Sequence, residues 1–146
     1  MSLRKFCLSL VLVFAAGCGG DPPADMPKVE LIPVTGVIQV DGKPVSGARV
    51  ALHSPGGNSD VIVNPNGITD AEGKFQLTTY SVHDGAPAGV WAVTVSWADI
   101  LNPGASEPEY GKEKLPIRYQ APTSSGLSLE VKPDASEPVL LSLKSR

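Results

Sequence analysis

Cysteine, histidine, aromatic and charged residues are all scarce in this chain of 146 residues, which has two cysteines, two histidines, 5% aromatic and 18% charged residues. Two cysteines allow at most one internal disulfide, which excludes a small scaffold held together by several bridges. A basic excess is also missing, because 12 Lys and Arg stand against 15 Asp and Glu. A nucleic-acid-binding face must neutralise phosphates, so we expect no nucleic acid partner.

No apolar run is as long as a membrane span. The stretch at residues 6–16 has 11 residues, whereas a spanning helix needs about 20. That length fits the apolar region of an export signal, which has about 7–15 residues and follows a positively charged start. Arg4 and Lys5 supply that charge. We therefore predict a signal peptide over residues 1–17.

The residues after the apolar stretch predict lipidation of Cys18. Ala15, Ala16 and Gly17 precede Cys18, and small residues before a cysteine resemble a bacterial lipobox, although Ala15 stands where such motifs usually carry Leu. Cys7 lies inside the signal and is removed with it, so the mature chain keeps a single cysteine, which lipidation accounts for. The alternative is an ordinary secretory signal that leaves Cys18 as a free thiol. We expect an exported protein, anchored by this lipid at the periplasmic or outer-membrane face of the cell envelope.

A proline-rich tether is predicted between the lipid and a folded domain. Residues 18–33 contain four prolines together with acidic residues, a composition that favours extended, solvated chain. Residues 34–146 then form one domain, long enough to bury a core without disulfides or metals.

Alternation of apolar and polar residues predicts an all-β domain. This two-residue period places alternate side chains on opposite faces of a strand. Fifteen glycines and 14 prolines separate the alternating runs, as expected for many turns and few helices. Since each strand has one apolar face, we predict two sheets packed as a β-sandwich. The alternating runs lie at residues 34–40, 48–53, 74–79, 90–97, 127–132 and 139–143.

Three segments resemble the carboxypeptidase regulatory-like domains. They are residues 36–50 with an Asp-Gly turn, residues 69–77 with a Glu-Gly turn, and residues 86–95, where Trp91 stands in place of the usual Tyr. The resemblance implies a transthyretin-like or immunoglobulin-like β-sandwich of about seven strands. Residues 115–119 and 123–127 are similar to short lipoproteins common in planctomycete-type bacteria. Because this fold hosts many roles, the resemblance says little about function.

Acidic and nucleophilic residues do not form a recognisable catalytic motif. Asp70, Glu72 and Gly73 could suggest a calcium loop, but the alternating oxygen ligands and closing Glu are missing, so we predict a hairpin turn. Ser124 and Ser125 lack the G-x-S-x-G frame of a nucleophile elbow. We expect no catalytic residues.

The two histidines are poor candidates for a metal site. Intradiol dioxygenases share a similar β-sandwich opening and hold ferric iron with two Tyr and two His. Here His53 and His83 are 30 residues apart, and a His-x-His pair is missing. We expect both on a wet face or loop, with no metal and no cofactor. The tyrosines that could join them are Tyr80, Tyr110 and Tyr119.

Aromatic residues offer two candidate binding surfaces. Trp91 and Trp97 could form a sugar-stacking platform, but they share a face with valines, which favours a place in the core. The better candidate is the long loop at residues 98–116, with Tyr110, Arg118 and Tyr119, because exposed Tyr and Arg are enriched in contact surfaces.

Three functional hypotheses follow. The first is a non-enzymatic, lipid-anchored envelope protein acting as a structural or protein-interaction module. The alternative is a carbohydrate-binding module of the same fold, and the third is a degenerate dioxygenase-like enzyme. The expected partners are the membrane, through the lipid on Cys18, and an envelope protein or polysaccharide.

Overall fold

The computed structural model describes residues 29–54, 63–134 and 137–146, and their regular structure is almost all β-strand. Seven of the ten strands in these residues have three or more residues, and one 3-10 helix spans Ile117–Gln120. This confirms the prediction of an all-β sandwich. The strands are β1 (Leu31–Ile32), β2 (Thr35–Val40), β3 (Lys43–Pro44), β4 (Arg49–His53), β5 (Asn66–Ile68), β6 (Lys74–Gln76), β7 (Ala86–Pro87), β8 (Gly89–Ser96), β9 (Leu127–Val131) and β10 (Val139–Leu143).

Two main sheets carry the fold. In sheet I, β2 pairs with β10 on one side and with β3 and β6 on the other. Sheet II has the order β5-β4-β8-β9. The pairing of β10 with β2 is parallel, whereas the other pairings in both sheets are antiparallel. A short ribbon of β1 and β7 lies beside them.

The core is formed by the alternate residues that the two-residue period predicts. Along β4, for example, Val50 and Leu52 are buried, while Arg49, Ala51 and His53 face outward and are half-buried. Sheet I contributes large apolar side chains from three strands, and sheet II from β4, β8 and β9. The core residues of these strands are Ile38, Val40, Phe75, Leu141 and Leu143 in sheet I, and Val50, Leu52, Trp91, Val93, Val95, Leu129 and Val131 in sheet II.

Turns are present at both predicted positions. Asp41 and Gly42 have φ of 51° and 79°, the two left-handed residues of a turn that joins β2 to β3. In the second turn the Asp70 carboxylate accepts the backbone N–H groups of Glu72 and Lys74 at 3.0 and 2.8 Å. The acidic side chain therefore stabilises a turn, because a short carboxylate side chain can reach the nearby backbone amides.

Residues 98–116, expected to be a long loop, form an irregular hairpin that we call the arm. Backbone N–H groups donate across it from Lys114 to Trp97, from Gly111 to Asp99 and from Leu101 to Glu109, at 2.8–2.9 Å. The tip, Asn102-Pro103-Gly104-Ala105, closes with a hydrogen bond from the Ala105 N–H to the Asn102 carbonyl. Pro followed by Gly with φ of 91° suits such a turn.

The predicted signal peptide and Cys18 lie outside the described residues. Leu31 and Ile32, which we expected in the tether, pair with β7 as strand β1, and Ile32 packs against the core. The folded domain therefore begins a few residues before Val34. In the part of the chain that the structure describes, no helix is long and apolar enough to cross a membrane.

Candidate functional site

Glu113 fastens the base of the arm to strand β8. Its carboxylate accepts hydrogen bonds from the Ser96 hydroxyl and the Trp97 N–H, both at 2.7 Å. It also accepts the backbone N–H groups of Lys114 and Leu115 at 3.1 Å. A carboxylate with four donors holds the two strands of the arm together where they leave the sandwich.

These hydrogen bonds determine the titration of Glu113. Burial alone raises the pKa of its carboxyl, but the hydroxyl of Ser96 and the three backbone amides outweigh burial, and the net pKa lies below the ordinary value of 4.5. The ionised form is therefore the form that fastens the arm at neutral pH.

Replacement of this carboxylate tests the role of Glu113. We expect Glu113→Gln to lower the free energy of unfolding at neutral pH by about 1–2 kcal/mol, since hydrogen bonds to a charged group are lost. Because the folded pKa is depressed, the charged contribution is complete above the unfolded value and disappears as pH falls through the folded pKa. Urea unfolding at a series of pH values should therefore show the free energies of unfolding of the two proteins converging in acid. An equal difference in free energy at every pH contradicts this role.

The arm presents uncovered apolar side chains. Ile100 and Tyr110 are paired across the arm in an isolated bridge and are 50% and 47% exposed, while Leu101 is 63% exposed. The arm therefore leaves three large apolar side chains about half or more open to solvent.

Tyr110 is held by an arginine of sheet II. The guanidinium carbon of Arg49 lies 3.7 Å from the centre of the Tyr110 ring, which is a close cation–π contact. Arg49 is the first residue of β4 and points outward from the sandwich. The contact therefore ties the arm to the outer face of sheet II.

Arg118 and Tyr119 form a second arginine–tyrosine pair. The expectation that Tyr119 is an exposed contact residue is wrong. Tyr119 is only 6% exposed and belongs to the core cluster. Its hydroxyl accepts the Lys144 N–H at 3.2 Å and an N–H of Arg118 at 3.1 Å. Burial raises the pKa of Tyr119, but these donors outweigh it and lower the pKa. Tyr119 thus secures the 3-10 helix to the end of β10, and Arg118 alone of this pair is exposed.

The two histidines lie apart on the described part of the chain. The His53 ring lies on the outer face of sheet II with Nε2 2.8 Å from the Thr94 hydroxyl. His83 is an exposed residue of a turn, with φ of 61°. Within the described ranges, no group of three or more His, Cys, Asp or Glu side chains is placed to hold a metal ion.

Asp84 organises the turn that contains His83. Its carboxylate accepts backbone N–H groups from Thr79, Tyr80 and Ser81 at 2.6, 2.9 and 2.7 Å. Burial acts to raise the pKa of Asp84, yet these backbone donors prevail and lower it. This residue carried no signal in the sequence beyond its position before Gly85.

The two tryptophans do not form one exposed platform. Trp91 is 6% exposed, within the core, and donates its ring N–H to the Pro87 carbonyl. Trp97 is half-buried; it donates to the Ser46 carbonyl at 3.0 Å, and the Lys114 ammonium lies 4.7 Å from its ring centre. The preference for the core is therefore confirmed for Trp91.

Comparison of the chain with protein-family models, with curated proteins and with solved structures gives no match. The likeness to carboxypeptidase regulatory-like domains thus stays a prediction from three sequence segments. What the structure itself defines is a β-sandwich with an arm fastened to the outer face of sheet II.

Proposed function

We propose that this chain is a non-enzymatic, lipid-anchored module of the cell envelope that docks a partner protein through the arm. One observation carries the proposal: Ile100, Leu101 and Tyr110 expose about half or more of their side chains on a segment fastened at its base. Clustered apolar and aromatic side chains with a polar rim are typical of protein contact surfaces.

The fastened arm is better suited to docking than a loose loop. Ordering a flexible segment on binding costs free energy, and a segment that is already ordered avoids much of that cost. The arm is ordered by its cross-strand hydrogen bonds and by the Arg49–Tyr110 contact. Exposed charges of both signs, Glu107, Glu109 and Lys112, lie close to the apolar residues in sequence and can form the rim.

The non-enzymatic part of the proposal is supported by two carboxylates that are engaged in structural hydrogen bonds. Asp84 and Glu113 accept several backbone hydrogen bonds, and their pKa values are lowered. A general acid or base works best with a pKa near the working pH, so these groups are poorly matched to proton transfer. Their hydrogen bonds stabilise loops instead.

Disruption of the apolar surface tests the docking proposal. We expect the double variant Ile100→Ser/Leu101→Ser to reduce recovery of the crosslinked partner in the native host by at least about tenfold, since burying each side chain contributes about 1.5–3 kcal/mol. The measurement is mass spectrometry of proteins crosslinked in cells to the tagged chain.

Two other exposed apolar residues provide matched controls. Val82 and Ile117 are 81% and 82% exposed and lie outside the arm. Val82→Ser/Ile117→Ser should recover the partner as the unaltered chain does, with all proteins showing comparable melting temperatures. Equal loss in both double variants, or no loss in the arm variant, contradicts the proposal.

A further inference from the structure

A groove with a mixed polar and apolar lining crosses the outer face of sheet II, next to the arm. Its volume is about 440 Å³, within the usual range for small-ligand sites. Half of the ten residues that line it carry a hydroxyl, amide or guanidinium group. The polar lining residues are Arg49, Asn66, Thr94, Ser96 and Gln120.

The strand register explains the shape of the groove. Ile68, Arg49 and Ser96 stand side by side across β5, β4 and β8. The next row has Ala51 at its centre, between Asn66 of β5 and Thr94 of β8. Directly opposite residues share one face of a sheet. A small Ala51 between longer neighbours therefore leaves a hollow in an otherwise flat surface.

Arg49 places a fixed positive charge at one wall of this hollow. Its guanidinium lies against the Tyr110 ring. The ion pairs found in the described parts of the chain are Lys114–Asp99 and Lys132–Glu130, and neither includes Arg49. A guanidinium presents a planar set of N–H donors that matches a carboxylate. The wall is therefore suited to an anionic group brought by a ligand.

We propose that this groove binds an acidic saccharide, with the sugar carboxylate on Arg49. The amides of Asn66 and Gln120 line the same groove and can exchange hydrogen bonds with sugar hydroxyls, whereas the Ser96 hydroxyl, which donates to Glu113, can only accept them. Ile68 is 61% exposed and offers an apolar surface for the C–H face of the ring. This site goes beyond the proposed docking of a protein and does not depend on it.

The position of the groove favours a saccharide over an acidic peptide. Peptides are commonly recognised by adding a strand to a free sheet edge, where unpaired backbone groups supply hydrogen bonds. The groove crosses β5, β4 and β8; β4 and β8 each have a neighbour on both sides in sheet II, and Asn66 of the edge strand β5 already exchanges both backbone hydrogen bonds with Thr78. Recognition must therefore come mainly from side chains, and the polar side chains present can bind hydroxyls and carboxylates.

Calorimetry with the full mature chain in detergent tests the site. The probes are oligomers of galacturonate, guluronate and mannuronate, and the neutral control is the fully methyl-esterified galacturonate oligomer. We expect at least one acidic oligomer to bind, with at least about tenfold weaker binding after esterification or in Arg49→Gln. Ala51→Leu should abolish binding by filling the hollow while Arg49 stays in place.

Two variants separate this site from other effects. Lys132→Gln removes a surface cation on another strand and should leave affinity unchanged, as should Leu101→Ser on the arm. Three results would each overturn the proposal: no acidic oligomer binding at millimolar concentration, equal weakening by Arg49→Gln and Lys132→Gln, or tighter binding of acetylated, amidated tri-glutamate than of every oligomer. Loss of partner docking in Leu101→Ser with intact saccharide binding would show that the two surfaces act separately.

Discussion

We expect Gly85→Ala to lower the free energy of unfolding by about 3 kcal/mol or more, because two unfavourable effects act at one residue. Gly85 has a φ of 97°, a backbone conformation that disfavours side chains. A Cβ at this position would also lie 1.9 Å from the carbonyl oxygen of Ile32. That obstacle is backbone of β1, so the β1–β7 ribbon must separate to make room.

Gly104→Ala is the matched control for this prediction. Gly104 has a similar φ of 91°, but a Cβ there would have nothing within 4 Å. We expect it to lower stability by only about 1–2 kcal/mol, the contribution of the positive φ. Guanidinium unfolding of both variants gives the comparison. If they lose the same stability, close packing of Gly85 against Ile32 does not restrict this position.

We expect Cys18→Ser to remove the chain from the membrane fraction of the native host. Each buried methylene of an acyl chain contributes about 0.8 kcal/mol to membrane binding, and two chains suffice for stable anchoring where one does not. The predicted diacylglyceryl group on Cys18 has two. We therefore expect loss of the cysteine to remove almost all membrane association. Fractionation and immunoblotting measure this effect.

Cys7→Ser provides the control, since this residue lies in the predicted signal and not at the lipidated position. It should leave membrane association unchanged. The N-terminal peptide of the unaltered mature chain should begin at residue 18 and carry the lipid mass. Membrane association that survives Cys18→Ser, or an unmodified Cys18, contradicts the anchor.

The sandwich was predictable because its signal is local. Period-2 alternation assigns Val50 and Leu52 to the core from neighbouring residues alone, and Asp41-Gly42 predicts its own hairpin turn. Such patterns need no knowledge of distant chain segments. The same is true of the turn at Asp70, whose carboxylate bonds to amides two and four residues ahead.

The candidate site was less predictable because its contacts join distant residues. Tyr119 was expected to be a contact residue. Its hydroxyl instead accepts a hydrogen bond from the N–H of Lys144, 25 residues away, and the ring lies in the core. Arg49 carried no sequence signal, since only the fold brings it to Tyr110. The arm had one local signal, Asn102-Pro103-Gly104, typical of a turn at its tip.

The measurement that tests the central claim most directly is photo-crosslinking from position 101 in living cells of the native host. A photoreactive residue replaces Leu101 in one strain and Val82, an exposed residue outside the arm, in another. We expect position 101 to form an adduct with one defined envelope protein and position 82 to form none with it. Absence of an adduct at 101, or the same adduct from both positions, would contradict docking through the arm.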